Sequence, residues 1–129
     1  AYALLSLGME VTVLNRTVEK AEALAARFGC SSGVPRDFDR IRPAVVVNAT
    51  PVGMEPDRGS PLTREQLFPG MTVFDLVYTP PETPLLRMAR SAGCRVIQGR
   101  EMFIRQAQAQ FRHFTGIDAP LHMIREMMG

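Results

Sequence analysis

No window of this sequence approaches the ~20 consecutive apolar residues that a membrane-spanning helix needs. The opening residues Ala1-Tyr2-Ala3-Leu4-Leu5 are apolar, but Ser6 and Gly8 end the run, and it has neither a basic start nor a cleavage site, so it does not read as a signal peptide. Cysteine is scarce. Cys30 and Cys94 lie far apart and fit no metal-ligand spacing, which leaves two free thiols of a reducing, cytoplasmic compartment. The sequence also lacks a charge block of one sign. Its formal net charge is +2 with acids and bases interspersed, which supports neither a nucleic-acid stripe nor a polybasic membrane patch. Internal repeats, low-complexity tracts and linkers are absent as well. What remains is a chain of 129 residues, 46% apolar, with ten glycines and ten prolines: the composition of one globular domain able to bury a core. Residues 1–7 resemble the last two turns of an apolar helix stopped by Gly8, with no cap and no preceding strand, so the chain is expected to be a fragment of a longer protein.

Within that length two patterns alternate. Short apolar runs of strand type occur at Val11–Leu14, Ala44–Val47, Thr72–Phe74 and Arg95–Ile97. Helical spacing separates them. Ala21, Leu24, Ala25 and Phe28 recur along Thr17–Phe28 before Gly29, Thr63–Phe68 and Thr83–Ala92 follow, and a long amphipathic helix runs over Glu101–Phe114. A last helix is expected over Leu121–Met128, with Met123, Met127 and Met128 as gap-filling core. Continuous apolar strands separated by helices predict an α/β protein with a doubly wound parallel sheet buried on both faces.

In such sheets ligands bind where strands end at their carboxyl side. Four segments leave strands there. The first is Asn15-Arg16-Thr17, followed at once by a helix that carries Lys20. In a dinucleotide site this turn normally holds an acid that accepts from the adenosine ribose 2′-hydroxyl. A guanidinium cannot accept that bond, but its charge and donor fork suit a 2′-phosphate, so Arg16 points to NADP rather than NAD. The same tripeptide is equally suited to capping the helix through Asn15 or Thr17, with Arg16 a solvated charge. The second segment, Asn48-Ala49-Thr50-Pro51-Val52-Gly53-Met54, reads either as the lining of a ligand crevice or as a turn into an exposed loop. The third, Asp75-Leu76-Val77-Tyr78, offers a tyrosine hydroxyl at the sheet edge, or simply a stiff loop with a half-buried ring and a turn acid at Asp75. The fourth starts at Gly99, at the mouth of the long helix. Gln106 there could donate and accept toward substrate hydroxyls, or be an ordinary polar helix residue, while Phe103, Ala107, Phe111 and Phe114 form the apolar stripe. His113 and His122 lack acidic or nucleophilic neighbours in sequence and read as surface or packing residues.

In this order and spacing the four segments, with Thr83-Pro84-Leu85-Leu86 after the third, resemble shikimate dehydrogenases across nearly the whole chain. The resemblance implies a Rossmann-like doubly wound sheet, incomplete at its N-terminus and followed by C-terminal helices, and a NADP-dependent reduction of 3-dehydroshikimate to shikimate. It further implies that Asn15, Arg16, Thr17 and Lys20 hold the adenosine end and its 2′-phosphate. Thr50 and Leu76 would line the nicotinamide end, Gly99 would meet the cofactor through its backbone, and Tyr78 and Gln106 would reach the substrate. The family's first strand, its glycine-rich pyrophosphate loop and the Lys–Asp pair of its upstream substrate domain have no counterpart in residues 1–129. No catalytic residue and no metal ligand is therefore expected in this chain. The expected partners are a small-molecule substrate and the substrate domain of the same polypeptide, which in some relatives is fused to a dehydroquinate dehydratase. Two other readings stay open: a quinate/shikimate dehydrogenase, and a non-catalytic ligand-sensing domain of a regulator.

Overall fold

The computed structural model describes residues 1–127. The chain divides into two units, Ala1–Pro43 and a second beginning at Ala44.

The first unit holds α1 (Tyr2–Leu5), β1 (Thr12–Leu14), α2 (Val18–Phe28), β2 (Ser31–Gly33), a 3-10 turn at Pro35–Asp37 and α3 (Phe38–Ile41). β1 and β2 pair in parallel, Thr12 opposite Ser31 and Leu14 opposite Gly33. The crossover between them is α2, which packs on both strands. Its inner face is Ala21 and Ala25, one turn apart and both buried, so the helix lies close to the sheet. Gly29 ends it at φ 69, and its N–H donates to the Ala25 carbonyl at 2.8 Å. The expected helix limits therefore hold, but Leu24 stays 39% exposed. The sequence pattern announces neither β2 nor α3. Ser31-Ser32-Gly33 has no apolar alternation and is a strand only because β1 offers it an edge.

The second unit holds β3 (Val45–Asn48), β4 (Thr72–Asp75), α4 (Pro84–Ser91), β5 (Arg95–Ile97), α5 (Gly99–Thr115) and α6 (Leu121–Met127). The expected helix at Thr63–Phe68 is a 3-10 turn, Arg64–Gln66, capped by the Gln66 side chain, which accepts from the Thr63 N–H at 3.0 Å. The strands pair in parallel in the order β3-β4-β5, with Val46, Val73 and Val96 in one row. α4 packs on β4 and β5, and Leu85, Leu86 and Ala89 join Val73 in the core.

Every strand pair among the described residues is parallel, as the alternation predicts, in a two-stranded sheet in the first unit and a three-stranded sheet in the second. Burial on both faces does not hold in the second unit. Val45 and Val47 are each 36% exposed on the face opposite the Val46–Val73–Val96 row, because α4 covers that row alone while α5 passes the carboxyl end of β4 and pairs with α6. The aromatic stripe of α5 is likewise uncovered, with Phe111 and Phe114 exposed and Ile104 taking the buried position. Met123 and Met127 are exposed rather than core, since α6 is held to α5 by polar contacts: Arg125 to Glu101 at 2.8 Å and Gln108 to the Ala119 carbonyl at 2.9 Å. Met128 lies outside the described residues. Among those residues no helix is long and apolar enough to cross a membrane, and Cys30 and Cys94 are both free.

Candidate functional site

Four segments follow strand ends, as the sequence predicts, and each unit presents its own set. In the first unit the Leu14–Gly33 register sets the Asn15 turn beside the end of β2, where the Asn15 N–H donates to the Gly33 carbonyl at 3.2 Å. The Asn15 side-chain oxygen accepts from the Thr17 N–H at 2.9 Å, a local ring that fixes the turn. Thr17 is the N-cap residue of α2, but its hydroxyl makes no cap hydrogen bond. Neither side chain therefore caps the helix in the usual way; the Lys20 N–H donates to the Thr17 carbonyl at 3.2 Å, which leaves the Val18 and Glu19 N–H groups for a ligand. Arg16 and Lys20 are exposed and make no ion pair among the described residues. Arg16 lines an open groove together with Val34, Pro35 and Arg36. Sequence reading misses Arg36, because it follows a strand of small polar residues that no apolar pattern announces.

In the second unit a buried polar knot joins two loops. Asp75, the last residue of β4, is fully buried. Its Oδ1 accepts from Asn48 Nδ2 at 2.9 Å and from the Val77 N–H at 3.1 Å, and its Oδ2 accepts from the Thr83 hydroxyl at 2.7 Å. Asn48, at the end of β3, turns its own oxygen to the Thr50 hydroxyl at 2.7 Å and the Thr50 N–H at 3.0 Å. Thr83 in turn accepts from the Leu86 N–H at 3.3 Å and so caps α4, with Pro84 at the first helical position. One carboxylate thus ties the Thr50 loop, the Leu76–Tyr78 loop and the start of α4 together. Three accepted hydrogen bonds occupy it, so its task is positioning rather than proton transfer. The sequence points only to a turn acid at Asp75. That Asn48 and Thr83 complete the knot follows from strand register and cannot be read from spacing.

Leu76 donates its N–H to the Asn48 carbonyl at 3.0 Å, which holds the third segment against the second. Gly53, at φ 91, is buried with its Cα side against Thr83 and Pro84, so glycine there serves the turn and this packing. Gly99 has a sharper reason to be glycine. A Cβ at that position would stand 2.6 Å from the Leu76 carbonyl oxygen and 2.7 Å from that of Val77. Only a residue without a side chain lets the start of α5 come this close to the strand-end loop.

Tyr78 is half exposed, and its ring lies 5.5 Å from that of Phe103, tilted by 32°. Phe103 therefore leaves the expected core stripe and becomes a wall of the site. Gln106 is exposed one helical turn further along α5 on the same side. The hydroxyl of Tyr78 and the amide of Gln106 are neutral groups that can both donate and accept hydrogen bonds. Thus the structure brings together Asn15, Arg16, Thr17 and Lys20 in the first unit, and Thr50, Leu76, Tyr78 and Gly99 in the second. No group of three or more His, Cys, Asp or Glu that could hold a metal occurs among the described residues. Away from the site, the Cys94 thiol donates to the Phe68 carbonyl at 3.3 Å and burial raises its pKa.

Comparison with known proteins shows what the chain resembles. A model of the Shikimate 5'-dehydrogenase C-terminal domain matches residues 99–126. A shikimate dehydrogenase (NADP(+)) from Methanocella arvoryzae is 41% identical over 129 residues, covering 95% of this chain and 48% of that protein. Quinate dehydrogenase from Corynebacterium glutamicum in complex with NAD superimposes with a TM-score of 0.91 at 34% identity, over 98% of this chain and 49% of the other. Shikimate 5-dehydrogenase from Thermus thermophilus, in complex with NADP(H) and shikimate, does so with a TM-score of 0.87 at 36% identity, over 96% and 47%. The chain spans about half the length of the curated relatives it matches. Family model, sequence and fold agree: over most of its length the chain is similar to the C-terminal part of shikimate dehydrogenases.

Proposed function

We propose that this chain is the cofactor-binding part of a cytoplasmic enzyme that reduces 3-dehydroshikimate to shikimate with NADPH. The observation that carries the reading is the β1 turn. It presents Arg16 and Lys20 without acidic partners among the described residues, beside the open first turn of α2, and it holds no acid that could accept from a ribose 2′-hydroxyl. Two such cations and the Val18 and Glu19 N–H groups fit a nucleotide carrying a 2′-phosphate. When bound, NADPH supplies the hydride. The residues of this chain do the positioning. Asn15 fixes the turn, Arg16, Lys20 and Thr17 take the phosphate, Thr50 and Leu76 line the nicotinamide end, and Tyr78 and Gln106 take substrate hydroxyls. The strand, glycine-rich loop and acid–base pair of the family belong, in this reading, to a part of the enzyme outside residues 1–129.

Quinate dehydrogenase is the second reading, favoured by the fold match to the NAD-bound Corynebacterium enzyme. Arg16 separates the two, since a NAD-preferring site gains from an acid at this turn. In the enzyme that carries this domain, Arg16→Ala should weaken NADP⁺ binding about ten- to a hundredfold, the range of a charge-assisted hydrogen bond of ~1.5–3 kcal/mol, and leave NAD⁺ nearly unchanged. Arg16→Asp should go further and favour NAD⁺. Calorimetric titration of both cofactors decides it, and equal losses for the two would mean that Arg16 supports the fold rather than reads the phosphate. The 129-residue chain by itself should show no NADPH oxidation with 3-dehydroshikimate above background, because it carries no acid–base pair. Turnover followed at the NADPH absorbance would place the catalytic groups within it instead.

A further inference from the structure

We propose that Arg36 is a second determinant of cofactor choice, reading the nucleotide 2′-phosphate from the β2 side of the groove that Arg16 lines from the β1 side. The inference rests on the reading of the β1 turn given above and adds to it a residue from a different strand end. The parallel register of Leu14 with Gly33 brings the two connections out at the same end of the sheet, so Asn15-Arg16 and Val34-Pro35-Arg36 leave side by side. Arg16, Val34, Pro35 and Arg36 then line one groove. The second wall is stiff. Pro35 opens a 3-10 turn, and Asp37 closes it by accepting from the Val34 N–H at 2.9 Å.

The charges of the groove are unbalanced. Other arginines of the first unit are engaged: Arg40 with Asp37 at 3.7 Å and Arg27 over the Phe28 ring at 5.5 Å. Among the described residues, Arg16 and Arg36 make neither an ion pair nor a hydrogen bond. Asp37, the nearest acid in sequence, is turned to Val34 and Arg40, and Glu19 in the first turn of α2 pairs with neither guanidinium. Two like charges sharing one apolar-floored groove repel each other, and an anion between them relieves that repulsion. The anion that fits is a phosphate monoester on a nucleotide ribose, since both arginines offer donor forks and Val34 and Pro35 offer an apolar surface to the base.

The test uses the chain itself with two small probes that differ only in the phosphate, 2′,5′-ADP and 5′-AMP. Wild type should bind 2′,5′-ADP more tightly. Arg36→Ala should weaken 2′,5′-ADP about fivefold, as for an exposed charge pair, and leave 5′-AMP unchanged, with part of the loss restored by Arg36→Lys and the loss shrinking at high salt. If Arg36→Ala binds 2′,5′-ADP as wild type does while Arg16→Ala does not, the inference fails and the reading of Arg16 stands. Equal losses for both probes would mean that Arg36 holds the Pro35–Asp37 turn, which also overturns it. If wild type itself does not distinguish the probes, both the inference and the proposed cofactor fall.

Discussion

Asp75→Ala should destabilise the protein by about 3–5 kcal/mol, because three buried donors lose their acceptor at once and each stranded group costs ~1–3 kcal/mol. Asn48 Nδ2, the Val77 N–H and the Thr83 hydroxyl all point at this carboxylate. The hydroxyl can rotate and Asn48 keeps the Val52 carbonyl at 3.3 Å, so the loss stays below three full penalties. It is still a large part of the ~5–15 kcal/mol that holds a domain folded. Asp75→Asn keeps the shape and one acceptor for Asn48 and Val77, and should cost roughly half as much. Urea unfolding of the two variants beside wild type measures the difference. Nearly equal midpoints for Asp75→Ala and wild type would mean that the knot contributes little and that the two loops are held by strand pairing alone. In the enzyme that carries this domain, Asp75→Asn should raise KM through displacement of Tyr78 and Thr50.

Gly99→Ala should be the second severe change. The added Cβ meets two backbone carbonyls at 2.6 and 2.7 Å, and no side-chain rotation removes a backbone clash. α5 must withdraw from the end of β4, at a cost of ~3 kcal/mol for overpacking of this kind. The useful control is Gly116→Ala. Gly116 has φ 72 with open space around it, so alanine there meets only the left-handed backbone penalty of ~1–2 kcal/mol. Thermal unfolding should rank Gly99→Ala well below Gly116→Ala. The reverse order would show that α5 is free to shift, and that Gly99 is glycine for close approach of a ligand rather than of the strand-end loop.

The elements that sequence reading finds are those whose apolar pattern is their own. Val45–Val47, Thr72–Phe74 and the Ala21–Ala25 face of α2 carry enough periodicity to declare themselves, and Gly29 and Pro84 mark helix limits by local geometry. β2 is invisible because Ser31-Ser32-Gly33 owes its extension to the neighbouring strand. The Arg64–Gln66 segment falls short of an α-helix because Pro69-Gly70 leaves no room for further turns. Periodicity also says that Phe111 and Phe114 share a side of α5, but not whether anything covers that side. The candidate site divides the same way. Asn15-Arg16-Thr17 is legible because a guanidinium where an acid is usual is a local chemical statement. Thr83 and Phe103 gain their parts from contacts across 8 residues to Asp75 and from α5 to the Tyr78 loop, and Arg36 lines a groove with Arg16 across a strand pair. Such pairings are set by the fold, and spacing alone does not carry them.

The central claim is that this chain selects a nucleotide by its 2′-phosphate. The most direct test is the dissociation constant of the unmodified protein for NADP⁺ and for NAD⁺ in the same buffer at low salt. The account predicts NADP⁺ binding at least ~10-fold tighter, the equivalent of one charge-assisted hydrogen bond of ~1.4 kcal/mol or more. Equal affinities, or a preference for NAD⁺, would contradict it.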